Sequence, residues 1–205
     1  MFCVRCLLMF AVCYLVGGTA AGADGPLELI RAHQLRYLQI ISDPKFHSKD
    51  KEKELNEILT EHVMAFLDVR EMVKTALSAH WARMTTGEQN EFVDTFRRYM
   101  EVSNRLPGRF RSTDLRLETE TIEANLAEVR GYFYFPAGRN APAVYKLHLV
   151  DGRWKLYDYS AWGVEDVKKL RAQFDRVIRK SSIKGLVDLL NEKQTLLEKS
   201  WANRE

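Results

Sequence analysis

Residues 144–174 constrain the fold most, because their hydrophobic period changes from two to about 3.6 within a short distance. Two apolar-rich runs flank Asp151-Gly152, a dipeptide that suits a two-residue hairpin turn since both positions tolerate a positive φ. Apolar residues then recur at helical spacing, at Val164, Val167, Leu170 and Phe174. This pattern predicts an antiparallel strand pair that leads directly into an amphipathic helix.

Helical patterns occupy the first half of the chain. Pro26 suits a first helical turn, and the helix-like spacing that follows continues until Asp43-Pro44 interrupts it. Residues 48–61 are highly charged with a narrow apolar stripe, which is typical of a surface helix. A third helix is predicted from about 69 to 82, with Asp68 as its N-cap. A fourth begins at Thr85 or Thr86 and ends at Pro107-Gly108.

The second half alternates apolar and polar side chains, which predicts strands. The four runs with this alternation are residues 115–120, 129–135, 143–150 and 154–159. Residues 136–142 form a turn-rich connection, and a closing helix begins at about Val164, with a break at 180–182. Helices followed by an antiparallel meander and a closing helix predict an α+β fold. We expect its helices to pack on one face of a curved antiparallel sheet of about four strands.

Residues 1–23 have the features of a cleavable signal peptide. They carry one positive charge, a short apolar run and small residues that end in Ala21-Gly22-Ala23. Because the apolar run is short for a permanent membrane span, we expect cleavage after this motif and a single mature domain over residues 24–205. Lipid attachment at Cys13 is the alternative, although Val12 precedes it where glycine or alanine is usual.

Composition argues against several classes of site. All three cysteines precede the expected cleavage site, so the mature chain has no thiolate metal ligand, cysteine nucleophile or disulfide. A formal charge of +3 over 205 residues is nearly balanced and does not indicate nucleic-acid binding. No histidine pair has metal-ligand spacing, and no glycine-rich phosphate loop or nucleophile elbow is present. We therefore expect neither a metal nor a cofactor.

Large aromatic side chains are concentrated in the predicted sheet. Residues 132–135 alternate tyrosine and phenylalanine, so both faces of this strand are aromatic, whereas a sheet needs only one such face against its helices. These side chains either fill a dense core or line an apolar cavity between sheet and helices. The residues alone leave both alternatives open.

Two blocks of the sequence resemble a known family. The first contains Phe66-Leu67-Asp68, Met72, Leu77, Trp81, Thr85, Phe92 and Phe96. The second contains Val144-Tyr145-Lys146-Leu147, Gly152-Arg153-Trp154-Lys155-Leu156-Tyr157-Asp158, Gly163-Val164, Arg171, Gln173 and Phe174. In spacing and residue type they resemble the MlaC family, also called the toluene-tolerance family, of exported lipid carriers of Gram-negative bacteria. The resemblance covers about residues 26–190.

The resemblance implies a fold similar to the cone-shaped nuclear-transport-factor-two architecture, with the acyl chains of a lipid held between sheet and helices. It also implies a periplasmic carrier that binds phospholipid as cargo. Such a carrier would move lipid between an outer-membrane lipoprotein complex and an inner-membrane ABC transporter with its lipid-receiving subunit. The resemblance further implies a role in maintaining the lipid asymmetry of the outer membrane. The cargo is left open between phospholipid and a hopanoid or other apolar molecule.

Twelve side chains are predicted to line this lipid cavity: Met72, Phe92, Phe96, Tyr99, Phe133, Tyr145, Leu147, Trp154, Tyr157, Trp162, Val164 and Phe174. Each methylene that leaves water gains about 0.8 kcal/mol, so two long tails need a deep apolar slot. The phosphate is expected at the mouth, near Arg139, Arg153 or Lys155, which are otherwise solvated edge residues. Glu165 and Asp166 either form the moving rim of the slot or cap the closing helix.

Two other classes of function compete with a carrier. An enzyme on the same fold needs acid–base groups that converge in the cavity, and the candidates are His80, His148, Asp158 and Glu118. We expect His80 on the apolar face of its helix and His148 pointing towards water. Asp158 is expected to be a structural acceptor for the Trp162 loop or Arg171. An interaction module is the other alternative, docking through residues 48–61 or the tail 198–205 that contains Trp201.

Overall fold

The computed structural model describes residues 25–105, 114–134, 140–161 and 163–202. Its first part is helical: α1 (Pro26–Ser42), α2 (Glu52–Phe66), α3 (Val69–Leu77) and α4 (Thr86–Ser103). Short 3₁₀ helices lie between them, at Pro44–Phe46, Lys49–Lys51 and Ser78–Arg83. Two further helices, α5 (Asp166–Lys180) and α6 (Ile183–Ala202), end the described chain. Within these ranges no helix is long and apolar enough to cross a membrane.

A single antiparallel sheet lies between α4 and α5. Its strands are β1 (Asp114–Glu123), β2 (Leu126–Tyr134), β3 (Asn140–Val150), β4 (Arg153–Ala161) and β5 (Val164–Glu165). Each strand pairs with the next, so the order in the sheet follows the order in the chain. The predicted α+β architecture is confirmed, and the two-residue β5 extends the sheet of about four strands.

Local sequence signals account for the start of two helices. The Asp68 side chain accepts a hydrogen bond from the Glu71 amide at 2.9 Å, as an N-cap should. Thr85 caps α4 in a reciprocal capping box with Glu88. The predicted Asp68 cap is confirmed, and α4, expected to begin at Thr85 or Thr86, has Thr85 as its N-cap.

Several predicted boundaries are wrong. The helix predicted to about residue 82 ends as an α-helix at Leu77, where Ser78 takes a positive φ and a 3₁₀ segment continues. Pro142 lies inside β3 instead of in a connection, and it pairs with Tyr132 of β2. The ladder between β3 and β4 begins at Ala143, so this proline lies beyond it, in the edge-like position that proline tolerates. Pro107-Gly108 lies outside the described residues, and α4 ends before it at Ser103.

The predicted hairpin is confirmed. Val150 pairs with Arg153, and the two residues between them have φ values of 49° at Asp151 and 72° at Gly152. These angles belong to the type of two-residue turn whose twist matches that of the flanking strands. The change to helix comes at Asp166, two residues later than expected, because β5 takes Val164–Glu165.

Gly131 permits a close approach of β1 to β2. The register shifts between Leu117 and Thr119, and this bulge brings the Arg116 carbonyl against Gly131. A Cβ atom at Gly131 would collide with that backbone, so a side chain there would push the strands apart. The absence of a side chain at Gly131 therefore allows β1 to pair with β2 at this point.

The core has two parts. The main core lies between the sheet and α3–α6, and includes Val73, Phe92, Val129, Leu147 and Leu186. A smaller cluster, which we call the α1–α2 cluster, contains Ile40, Phe46, Leu55 and Leu59. The charged segment predicted as a surface helix thus turns its narrow apolar stripe into the α1–α2 cluster.

Candidate functional site

Four rings from α4 and α5 form a cluster between the helices and the sheet. This aromatic cluster consists of Phe92, Phe96, Tyr99 and Phe174. The ring of Phe174 meets Phe92 and Phe96 nearly edge-on, with centroids 5.6 and 5.8 Å apart. Spacings of three and four residues on α4 place its three rings on one side, which is why a helical pattern predicts them together. All but the half-buried Tyr99 are buried.

The sheet contributes a second aromatic group, next to the main core. Leu147 is buried, while Tyr145 and Trp154 are half-buried and pack against the core. Tyr145 lies 5.7 Å from Tyr159, measured between ring centroids. Burial, with a smaller contribution from Tyr159, raises the pKa of the Tyr145 hydroxyl well above its usual range. This hydroxyl therefore stays neutral even at an alkaline pH at which an exposed tyrosine would ionise.

Eight of the twelve predicted cavity residues share the main core: Met72, Phe92, Phe96, Tyr99, Tyr145, Leu147, Trp154 and Phe174. Phe133 is half-buried on β2, opposite Ala141 of β3. Val164 lies in β5. Trp162 is outside the described residues. The structure thus brings most of the predicted lining together at one place.

Tyr157 lies apart from these eight residues. The ladder pairs Leu147 with Leu156 but Lys146 with Asp158, so Tyr157 is the extra residue of a bulge in β4. Its ring packs edge-on against His148, with centroids 5.5 Å apart. The bulge also changes which side chains share a face, so Tyr159 packs on the core in the place that simple alternation gives to Asp158. Because alternation carries no sign of a bulge, the sequence did not identify Tyr159.

Two cavities in the described part of the chain lie away from the aromatic cluster. One of about 600 Å³ lies beside the start of α2 and the end of α6, where Trp201 lines it with Arg105. Another of about 460 Å³ lies between α2 and α4, lined by Met64 and Arg97 among others. In the aromatic cluster itself, Phe92, Phe96 and Phe174 are buried against one another in the main core.

The two candidate histidines each have a carboxylate partner. His148 does not point to water, because its Nε2 lies 3.0 Å from the Asp68 carboxylate in the α2–α3 connection. His80 is in the 3₁₀ segment and is half-buried, 3.0 Å from Asp175 of α5, and is not on an apolar helix face. Glu118 is exposed on β1. In the described ranges, no cluster of His, Cys, Asp or Glu is arranged to hold a metal ion.

Asp158 has the structural role that the sequence predicts, with different partners. Its buried carboxylate accepts the Val167 amide at 3.1 Å and lies 3.5 Å from Lys146 Nζ. It thereby satisfies a free amide at the start of α5 from a neighbouring strand. Arg171, one of its expected partners, instead donates to the Thr75 carbonyl at 2.7 Å.

Glu165 precedes α5 but does not cap it with its side chain. Its carboxylate bridges Lys168 at 2.8 Å and Lys146 at 2.9 Å. These hydrogen bonds, that of Lys168 first, lower the pKa of Glu165 below its usual range. Asp166 pairs with Lys169 at 3.1 Å. Both acidic residues thus lie at the start of α5, as the capping prediction requires, while the side chain that accepts a hydrogen bond from its first turn is that of Asp158.

The cations proposed for a head group are at the sheet margin. Arg153 is exposed at the hairpin, and Lys155 is half-buried opposite His148. Arg139 lies outside the described residues. A head group at Arg153 or Lys155 would thus lie near Trp154, at one end of the aromatic group of the sheet.

Comparison with known proteins identifies a family. The model of the MlaC protein family matches residues 33–192. A solved structure of similar fold is the phospholipid-binding protein from Ralstonia solanacearum in complex with a phospholipid. It has a TM-score of 0.67 and 19% identity, and the match covers 84% of this chain and 98% of that one. A search of curated proteins gives no significant match. Since the family model spans most of the sequence, the chain belongs to the MlaC family.

Proposed function

We propose that the protein is a periplasmic phospholipid carrier. In this role it takes lipid between an outer-membrane lipoprotein complex and an inner-membrane ABC transporter with its lipid-receiving subunit. The observation that carries the proposal is the aromatic cluster and its tyrosine-bearing sheet wall, in a chain of the MlaC family. The phospholipid complex of the similar Ralstonia protein supports the choice of cargo.

The cargo's tails are proposed to lie between the aromatic cluster and the sheet. Tyr145 and Trp154, which are half-buried, form the side of this space that is accessible without unfolding the core. Every buried methylene contributes about 0.8 kcal/mol, so insertion of two tails offsets the cost of parting a few rings. The charged phosphate then stays in water at the margin.

Export is part of the same proposal. Residues 1–23 serve as the signal peptide, and 24–205 form the mature lipid-binding domain. A carrier that crosses the periplasm must leave both membranes, and the nearly balanced charge of the chain suits this exchange.

A binding role is favoured over catalysis. His80 and His148 are tied to Asp175 and Asp68 respectively, and these pairs join different elements of the fold. General acid–base catalysis needs such groups within hydrogen-bond reach of one substrate atom. The two pairs are better explained as structural cross-links, one between the 3₁₀ segment and α5 and the other between β3 and the α2–α3 connection.

The test starts from the protein isolated from a bacterial periplasm. Organic extraction followed by mass spectrometry should release a stoichiometric phospholipid. The protein loaded with a labelled phospholipid should then transfer the intact lipid to membranes, faster when they contain the inner-membrane transporter. A partner that binds the opened or lipid-free form better than the loaded form shifts the equilibrium towards release. Recovery of hydrolysed or modified lipid would indicate an enzyme and refute the proposal.

A further inference from the structure

The positive charge of the protein is concentrated on α5. This helix has six basic and two acidic side chains, a formal charge of +4, whereas the whole chain has +3. The remainder of the protein is therefore almost neutral. A helix so different in charge from its surroundings produces a local positive potential at the surface.

Five of the six basic side chains of α5 share one exposed face. Lys168, Arg171, Arg176, Arg179 and Lys180 line a shallow groove of about 550 Å³. With 3.6 residues per turn, these five positions fall within about half of the helix circumference. We call these five side chains the basic face of α5.

Nearby carboxylates leave much of this charge uncompensated. Asp175, which lies in the groove, is paired with His80 at 3.0 Å. Arg179 donates to the Asp175 backbone carbonyl at 3.2 Å, a neutral acceptor. In the part of the chain that the structure describes, no carboxylate forms an ion pair with Arg176, Arg179 or Lys180. These three cations at the end of α5 are available to an external anion.

We propose that the basic face of α5 docks the protein on the anionic surface of a phospholipid bilayer. Protein–protein interfaces rely on buried aromatic or aliphatic anchors, whereas a fluid anionic surface is recognised by clustered charge alone. The exposed large apolar residues of the described chain, such as Leu35 and Leu196, all lie outside α5. The basic face thus has the charge for a lipid surface but lacks the anchor for a protein.

The opposite side of α5 connects this surface to the candidate site. Phe174 is buried in the aromatic cluster, while Arg176 and Arg179 are exposed on the other side of the same helix. An α-helix is about 10 Å across with its side chains. Docking through the basic face would therefore bring the aromatic cluster within about one helix diameter of the membrane surface.

Vesicle flotation of the full mature protein tests the proposal. Phosphatidylcholine vesicles with and without phosphatidylglycerol should be compared at low and high salt. The wild type should bind only the anionic vesicles, and salt should weaken binding. In R176Q/R179Q/K180Q the partition coefficient should fall about fivefold for each lost cation, hence about a hundredfold in total.

Two control variants make the result specific. R36Q/K49Q/K199Q loses the same charge from exposed positions outside α5, and it should keep nearly all its binding. R176K/R179K keeps the charge and should bind as the wild type does, which separates charge from the fold of α5. Equal losses in the two triple variants, or equal binding to neutral vesicles, would overturn the proposal.

A protein partner gives a different result. If the wild type ignores anionic vesicles but R176Q/R179Q/K180Q fails only in transfer to the inner-membrane transporter, the basic face meets an acidic protein surface and the proposal is wrong. Vesicle binding does not depend on the cargo. Co-purified lipid therefore tests the carrier function separately.

Discussion

At the scale of single residues, Asp158 joins the sheet to the last part of the fold. It is 3% exposed, and a carboxylate buried to this degree is costly unless it is paired and hydrogen-bonded. The Val167 amide and Lys146 supply these contacts. One side chain on β4 thus positions the first turn of α5.

Replacing Asp158 with alanine is expected to destabilise the protein by about 1–3 kcal/mol, because the Val167 amide loses its acceptor inside the protein. Urea unfolding followed by circular dichroism measures the change. Asp166→Ala is the matched control, since its pair with Lys169 is exposed and should cost about 0.5 kcal/mol. Similar losses in the two variants would contradict a special role for Asp158.

His33 gives a second prediction at this scale. Its ring stacks on His62 with centroids 3.9 Å apart, and the His62 ring donates to the His33 carbonyl at 2.9 Å. Burial first, then the nearby His62, lower the pKa of His33 from 6.5 to about 4. Between these values the unfolded chain binds the proton and the folded protein does not, so stability is present above pH 6.5 and falls as the pH drops towards 4.

The expected loss from this residue is up to about 3 kcal/mol over that range. Urea midpoints measured across it should fall in the wild type and fall less in His33→Phe, which retains a ring to stack on His62 and Phe66. A midpoint profile that is identical in the two proteins would show that His33 does not titrate on unfolding.

At the scale of elements, the aromatic cluster holds α4 and α5 together. Phe174 is the only cluster member described on α5, and it contacts both Phe92 and Phe96. The same cluster is the proposed lining for the tails. Its side chains therefore contribute to stability in the empty protein and to affinity in the loaded one.

Phe174→Leu separates these two contributions. An apolar exchange of this kind should cost less stability than the roughly 3–5 kcal/mol expected for alanine, so the protein should stay folded. The amount of co-purified lipid, measured per protein by mass spectrometry, should nevertheless fall. Phe46→Leu is the matched control, because Phe46 is equally buried but lies in the α1–α2 cluster, and it should retain lipid. If both variants retain lipid equally, the tails do not contact Phe174.

At the scale of the whole molecule, the proposed export predicts that the functional protein is the cleaved mature form. Intact-mass measurement of the periplasmic protein should give a chain that begins at Asp24 and contains no cysteine. Cleavage as proposed would remove the short apolar run and leave the carrier free to move between membranes. A mature form that keeps Cys13 with added lipid mass would instead describe an anchored protein.

Short-range signals explain how much of the fold was predictable. The cap at Asp68, the helix start at Thr85 or Thr86 and the Asp151-Gly152 turn each depend on a few neighbouring residues, and all three are confirmed. The bulge at Tyr157 and the contact of His148 with Asp68 depend on how distant segments meet. No local pattern carries that information.

The candidate site was predictable to a similar degree. Phe92, Phe96 and Phe174 have helical spacing on apolar faces, so their shared burial follows from the sequence. Tyr159 was missed because the bulge shifts the alternation of β4. Spacing also says nothing about whether rings pack closely or part around a ligand, since both need the same apolar residues.

The order of the strands has a consequence for folding after export. If the chain is exported and cleaved as proposed, it must fold after crossing the inner membrane without disulfides. Each strand of the sheet pairs with the next strand along the chain. Such near-neighbour pairing closes short loops, and chains of low contact order fold quickly. The contacts of α3 with α5 and of α4 with α6 join helices that precede the sheet in the sequence to helices that follow it, so they would form last. The lipid slot would then be completed only at the final step of folding, so a lipid present at that moment could be enclosed as the protein first folds.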